Sequence, residues 1–120
     1  MMDAETVIDT YCAIWNTTDP VERKRLLGEI WSEGGVYCDP TVRVEGAAAL
    51  LDHIAGVHSK FEGFGLRRIG KLDQHHGLGR FGWQRAMRDG STGPESIDFV
   101  EFDAAGRLKA VIGFFGPLPG

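Results

Sequence analysis

Apolar residues recur at steps of three and four through residues 3–15, where Val7, Ile8, Tyr11, Cys12, Ile14 and Trp15 form the stripe of an amphipathic helix. The polar run Asn16-Thr17-Thr18-Asp19-Pro20 ends it. Asp19 suits an N-cap and Pro20 the first helical position, which predicts a second helix with Leu26, Leu27, Ile30 and Trp31 facing inward and Gly34-Gly35 as its stop. Residues 36–40 read as a short strand cut by proline. Gly46 then precedes a third helix carrying Leu50, Leu51, Ile54, Val57 and Phe61 at helical spacing. After Gly63 the pattern turns to strands, near 64–72, 75–87, 96–102 and 108–115, with the clearest turns at 89–94 and 103–106.

Helices first and antiparallel strands later, joined by short hairpins, predict one α+β domain over residues 1–120 with helices on one side of a sheet. No repeat, linker or low-complexity run interrupts it. The last two strands are apolar on both faces: Ile97, Phe99, Ile112 and Phe114 alternate with Asp98, Val100, Val111, Gly113 and Phe115. A single helical layer leaves one of those faces wet, so a homodimer through the sheet face is expected.

Composition narrows the function classes. The 120 residues suffice for one core, and 17 acidic against 13 basic residues leave a net charge of −4 with no clustered basic face, which argues against nucleic acid. No stretch approaches the roughly 18 apolar residues of a membrane helix. The acidic N-terminus also lacks the plan of a secretory signal, so no membrane association and a cytoplasmic setting are expected. Cys12 and Cys38 have no C-x-x-C spacing and read as buried free thiols. His53 and His58 are five apart, off the spacing of a helical metal pair, so no metal is expected. The glycines form neither a P-loop nor a dinucleotide fingerprint, Ser59 and Ser91 sit in no nucleophile elbow, and no cofactor is expected.

Four segments carry a resemblance over essentially the whole chain: the 11–15 helix followed by the Asp19 turn, Tyr37-Cys38-Asp39-Pro40 with Gly46 opening a helix, Arg80-Phe81-Gly82-Trp83, and the run from Asp98 through Asp103-Ala104-Ala105-Gly106 to Leu108. In order and spacing they resemble the nuclear transport factor 2-like superfamily, and within it the SnoaL-like and ketosteroid isomerase-like proteins. The resemblance implies a cone-shaped, curved antiparallel sheet, an α+β barrel whose three N-terminal helices close an internal pocket. It does not imply one function, since such folds serve isomerases, cyclases, hydrolases, dehydratases and binding modules.

Carried over by position, the isomerase pattern implies catalytic roles for Tyr11, Asp39 and Asp98. One carboxylate moves a proton beside a carbonyl, while the tyrosine and the other acid donate hydrogen bonds to the enolate. Ile54 stands where that pattern has a supporting tyrosine, and the adjacent His53 is expected to face the pocket instead. The strand after 75 adds His75, His76, Arg80, Trp83, Gln84 and Arg85, making the pocket more polar than a sterol site. SnoaL-like cyclases pair an aspartate with a histidine, so His53 or His76 is a candidate partner for Asp98. The Asp-Arg-Asp set of the epoxide hydrolase branch is absent beside Arg80 or Arg85. Trp15, Trp31, Trp83 and Phe115 are expected to line the cavity with His53 and His76.

The leading expectation is a cofactor-independent isomerase, cyclase or dehydratase acting on a small apolar or carbonyl-containing, polyketide-like molecule, with Asp39 or Asp98 as base. The alternative is a non-catalytic module that binds a lipophilic ligand or dimerises. Proton affinity separates them: burial in a dry pocket raises a carboxyl pKa, whereas amide donors at a turn hold it down.

Overall fold

In the computed structural model, which describes residues 2–120, the first apolar stripe forms α1 (Ala4–Asn16). Asp3 caps it, its carboxylate accepting the Thr6 amide at 2.8 Å. The stripe from Val7 to Trp15 turns inward as a whole. In α2 (Pro20–Ile30), Asp19 accepts the Val21 amide at 3.0 Å and Pro20 fills the first turn, where no N–H is needed. Leu27 and Ile30 are fully buried.

α2 ends earlier than expected. At Trp31 the chain passes directly into β1 (Trp31–Asp39), so Trp31 is a strand residue and Gly34-Gly35 lie within the strand rather than at a helix end. The pair builds an irregularity in the pairing between Trp31 and Val36. Gly34 takes φ +72°, and a Cβ on Gly35 would fall 2.6 Å from the Trp31 indole nitrogen, so both positions need a residue without a side chain.

Asp39 then folds the chain over Pro40 into β2 (Val42–Glu45), a four-residue strand the sequence pattern did not reveal, antiparallel to β1. Gly46, at φ +88°, opens α3 (Ala47–Lys60), which buries Leu50 and Ile54. Phe61 is the cap of α3 rather than part of its stripe. β3 (Leu66–His75) and β4 (Leu78–Arg85) are joined by His76-Gly77, both at positive φ (51° and 75°), the mirror-image turn that matches strand twist. β5 (Ser96–Phe102) and β6 (Leu108–Phe114) complete the sheet.

The strand order is β2-β1-β6-β5-β4-β3. The sheet curves but does not close, and β2 and β3 remain its edges. It is also mixed: β1 runs parallel to β6 while every other pair is antiparallel. The expected α+β fold, a curved sheet under three N-terminal helices, is the one that forms, with one parallel pair in it because the partner for β1 is supplied by β6 from far along the chain.

Polar side chains tie α1 to β3. Arg68 of β3 donates to Glu5 and Asp9 of α1 at 2.8 and 2.7 Å, and the Asn16 side chain bonds both the amide and the carbonyl of Leu66. Cys12 and Cys38 are free, and burial pushes the Cys12 thiol up to about 12. The outer face leaves Ile97, Phe99, Ile112 and Phe114 between 40% and 57% exposed. Among the described residues no helix is long and apolar enough to cross a membrane.

Candidate functional site

Alternation along three strands sends one set of side chains into the space under the helices. Tyr37 and Asp39 come from β1, Trp83 and Arg85 from β4, and Ser96 and Asp98 from β5, while α1 adds Tyr11 and Trp15 and α3 adds His53. They line a cavity of about 310 Å³ whose upper wall is apolar, with Phe64, Leu66, Pro94 and Phe115 among its surfaces. That volume lies at the small end of ligand sites, which span about 300 to 1,000 Å³.

The two acids meet across a gap in β6. Gly113 is the register partner of Asp98. A Cβ placed on Gly113 would lie 2.8 Å from Asp98 Oδ1 and 3.5 Å from Asp39 Cβ. The missing side chain on the middle strand is what lets carboxyl groups from β5 and β1 share one floor.

Their surroundings differ. Asp98 is 6% exposed and, among the described residues, has one donor, the Trp83 indole N–H at 2.8 Å. Burial, opposed by that donor and assisted by the nearby Asp39 charge, raises its pKa to about 7. Asp39 is half wrapped in donors: the Tyr37 hydroxyl reaches Oδ2 at 2.5 Å, and the Thr41 amide and hydroxyl reach Oδ1 at 2.7 and 2.6 Å. Burial pulls its pKa upward, but the Thr41 and Tyr37 donors, with His53 Nε2 at 3.7 Å, outweigh it and hold the carboxyl below its ordinary value.

Both tyrosines keep their protons, because burial raises each well above the usual phenol range. The neighbouring Asp39 adds to this for Tyr37, and Tyr37 and Asp98 add to it for Tyr11. Tyr37 spends its proton on Asp39. Among the described residues, Tyr11 donates to no protein acceptor, so its hydroxyl is free to meet a ligand oxygen in the cavity.

Seven of the nine positions singled out in the sequence thus converge: Tyr11, Asp39, Asp98, Trp15, His53, Trp83 and Phe115. Trp31 and His76 do not. Trp31 is buried at the opposite end of β1, separated from Tyr37 by the glycine irregularity, and packs on Gly35. His76 is an exposed turn residue with its ring against His75. His53 lies beside Asp39 rather than Asp98, and Arg80 turns outward to bond Asp73 at 2.8 Å. Tyr37, Thr41 and Phe64 were missed. The strand period offered a signal for Tyr37, which lies two residues before Asp39 and so shares its face. Among the described residues no group of three His, Cys, Asp or Glu is placed to hold a metal ion.

No protein-family model matches the chain, and no curated protein matches it. Solved structures do. A protein from Agrobacterium tumefaciens str. C58, named as a candidate isomerase of the SnoaL-like family, superimposes with a TM-score of 0.89 at 32% identity, covering 97% of this chain and 100% of that one. The chain belongs to the SnoaL-like family. More distant structures share the SnoaL-like fold alone. One is a Catenulispora acidiphila DSM 44928 protein with a ketosteroid isomerase-like fold, solved with trimethylamine (TM-score 0.74, 12% identity, 92% and 85% coverage). Another is a candidate SnoaL-like polyketide cyclase from Jannaschia sp. CCS1 (TM-score 0.68, 10% identity, 95% and 88% coverage).

Proposed function

We propose that this protein is a cofactor-independent enzyme that moves a proton beside the carbonyl of a small molecule, as an isomerase, cyclase or dehydratase does. The observation that carries the reading is a pair of carboxyl groups in one cavity whose environments push their proton affinities apart, with Asp98 up to about 7 and Asp39 down. A group that titrates near neutrality can take a proton from carbon and return it within one turnover.

In this mechanism the Asp98 carboxylate removes the α-proton, the electron pair of the C–H bond becomes the C=C bond of the enolate, and the π pair of the carbonyl moves onto its oxygen. Tyr11 donates its hydroxyl proton as a hydrogen bond to that oxygen. Protonated Asp98 then delivers the proton to a second carbon, giving isomerisation, or to a departing hydroxyl, giving dehydration. An ionised carboxylate has no proton to donate, so Asp39 does not share the enolate with Tyr11. It accepts the hydrogen bond of the Tyr37 hydroxyl, lies 3.7 Å from His53 Nε2 and adds its charge to the burial that raises the proton affinity of Asp98. The small cavity favours a compact ring compound over a sterol. The names of the Agrobacterium and Jannaschia proteins, an isomerase and a polyketide cyclase, support this class of chemistry.

The test is deuterium uptake from heavy water at the carbon beside the carbonyl in a panel of small cyclic ketones and enones, followed by proton NMR. Wild-type protein should exceed the buffer rate, and Asp98→Asn should lose about 100-fold or more of the enhancement. An Asp98→Asn variant as active as wild type, or a panel without any enhancement, returns the site to a ligand-binding role.

A further inference from the structure

The cavity has one feature that proton transfer at its floor does not use. Of the four arginines on β3 and β4, three have carboxylate or amide side-chain partners: Arg67 with Gln84, Arg68 through Nη1 with Glu5 and Asp9, and Arg80 with Asp73. The Arg85 guanidinium has no hydrogen-bond or ion-pair partner among the described residues: its backbone carbonyl accepts the Gly93 amide, and Asp89 feels its charge without pairing with it. Arg85 is exposed and yet lines the cavity, which places it at the mouth, and it is the one Lys or Arg on the described wall. The loop opposite makes room for it. A Cβ on Gly93 would stand 3.2 Å from Arg85 Cβ and 3.6 Å from Nε.

The order along β4 gives the cavity a direction. Phe81 is the register partner of Asp98, Trp83 that of Ser96, and Arg85 lies two residues beyond the pair that begins β5. From the Asp98 row to Arg85 is therefore four residues, about 13 Å of strand. Between the two ends stand Trp83 and Phe115, in edge-to-face contact with ring centroids 5.9 Å apart. Two acids lie at one end, an aromatic wall in the middle and an unpaired guanidinium at the other.

We propose that Arg85 is an anion anchor, and that the molecule taken by this site is a carbonyl compound with a carboxylate, or an equivalent acidic group, about one ring away from the reacting carbonyl. The inference rests on the proton-transfer reading for which end reacts. A carboxylate at the floor would face Asp39 and Asp98, so repulsion there and attraction at the mouth admit one orientation of such a ligand. That orientation brings the carbonyl to Tyr11 and Asp98. The planar guanidinium suits a carboxylate through two parallel N–H donors, which lysine does not offer.

The probes are 4-acetylbenzoate, with a ketone and a carboxylate across one ring, and its methyl ester, titrated calorimetrically at slightly alkaline pH. Wild-type protein should bind the acid about tenfold tighter than the ester, the modest end of a charge-assisted hydrogen bond at an exposed site. Arg85→Met should erase the preference by weakening the acid alone, Arg85→Lys should retain part of it, and Asp98→Asn should leave the ratio in place. Equal affinities, no binding of the acid at millimolar concentration, or a preference that survives Arg85→Met overturns the anchor. Deuterium uptake at the acetyl methyl, read on the same samples, reports separately on proton transfer. A preference without uptake refutes the chemistry at Asp98 and leaves the anchor standing.

Discussion

Replacing Asp98 by asparagine should stabilise the protein at alkaline pH while disabling it. The folded chain holds the Asp98 proton up to about pH 7, whereas the unfolded chain releases it near 3.8. Between those values the native state binds more protons than the unfolded one, so stability falls as pH rises through the window and levels off above it. The full difference corresponds to about 4 kcal/mol. Asparagine keeps an oxygen for the Trp83 indole and carries no charge to desolvate. Relative to wild type it should therefore be neutral near pH 4 and more stable by about 2 to 4 kcal/mol at pH 8. Asp39 and the surface acids titrate in both proteins and largely cancel in the comparison. Urea unfolding of the two at pH 4, 6 and 8 provides the measurement. A stability difference that stays constant across that range would mean that Asp98 titrates as an ordinary carboxyl, and the base would have to be sought elsewhere.

Two further outcomes are expected. Gly113→Ala puts a methyl 2.8 Å from Asp98 Oδ1, which must push the carboxyl off the Trp83 indole; about 1 to 3 kcal/mol of stability should be lost, with a displaced Asp98 carboxyl-carbon signal, and an unshifted signal in a fully stable variant would contradict the described gap. The outer face, with Phe99 and Phe114 in edge contact and the Lys109–Glu101 and Arg80–Asp73 pairs around its apolar centre, is proposed to pair with the same face of a second copy, since an apolar middle with both charge signs at its edge is self-complementary. Sedimentation should then give twice the 13.2 kDa chain mass and Phe99→Glu should halve it; a wild-type monomer at high micromolar concentration would exclude the pairing.

Local chemistry was legible in the sequence and distant pairing was not. The α1 stripe, the Asp19-Pro20 start of α2 and the Gly46 entry to α3 are decided by neighbours in the chain, and each formed as read. Gly34-Gly35 looked like a helix stop because glycine usually is one. In the folded chain those glycines serve a strand irregularity whose need arises from β6, more than seventy positions away. β2 is four residues long and hides behind Pro40. The parallel β1–β6 contact leaves no periodic mark on either strand. In the site, Asp39 and Asp98 came from resemblance, and residues alone could not divide their roles. That division depends on Thr41 reaching back to one and Trp83 alone reaching the other. His76 failed as a pocket residue because its place in a two-residue turn, fixed by where β4 begins, points it at solvent.

The parallel pairing also has a bearing on when the site comes into being. Asp39 sits on β1, and among the described residues the sheet joins that strand to the Asp98 strand only through β6, which pairs with both and lies about seventy positions further along the chain. Such long loops close slowly, since the entropy of ordering the intervening chain must be met before the contact forms. A nascent chain can assemble α1, α2 and the β3–β4 hairpin from local contacts, but until the C-terminal strand threads between β1 and β5 the two acids have no common cavity. The floor of the site is thus a product of long-range closure, because the paired acids share a cavity only once β6 lies between β1 and β5.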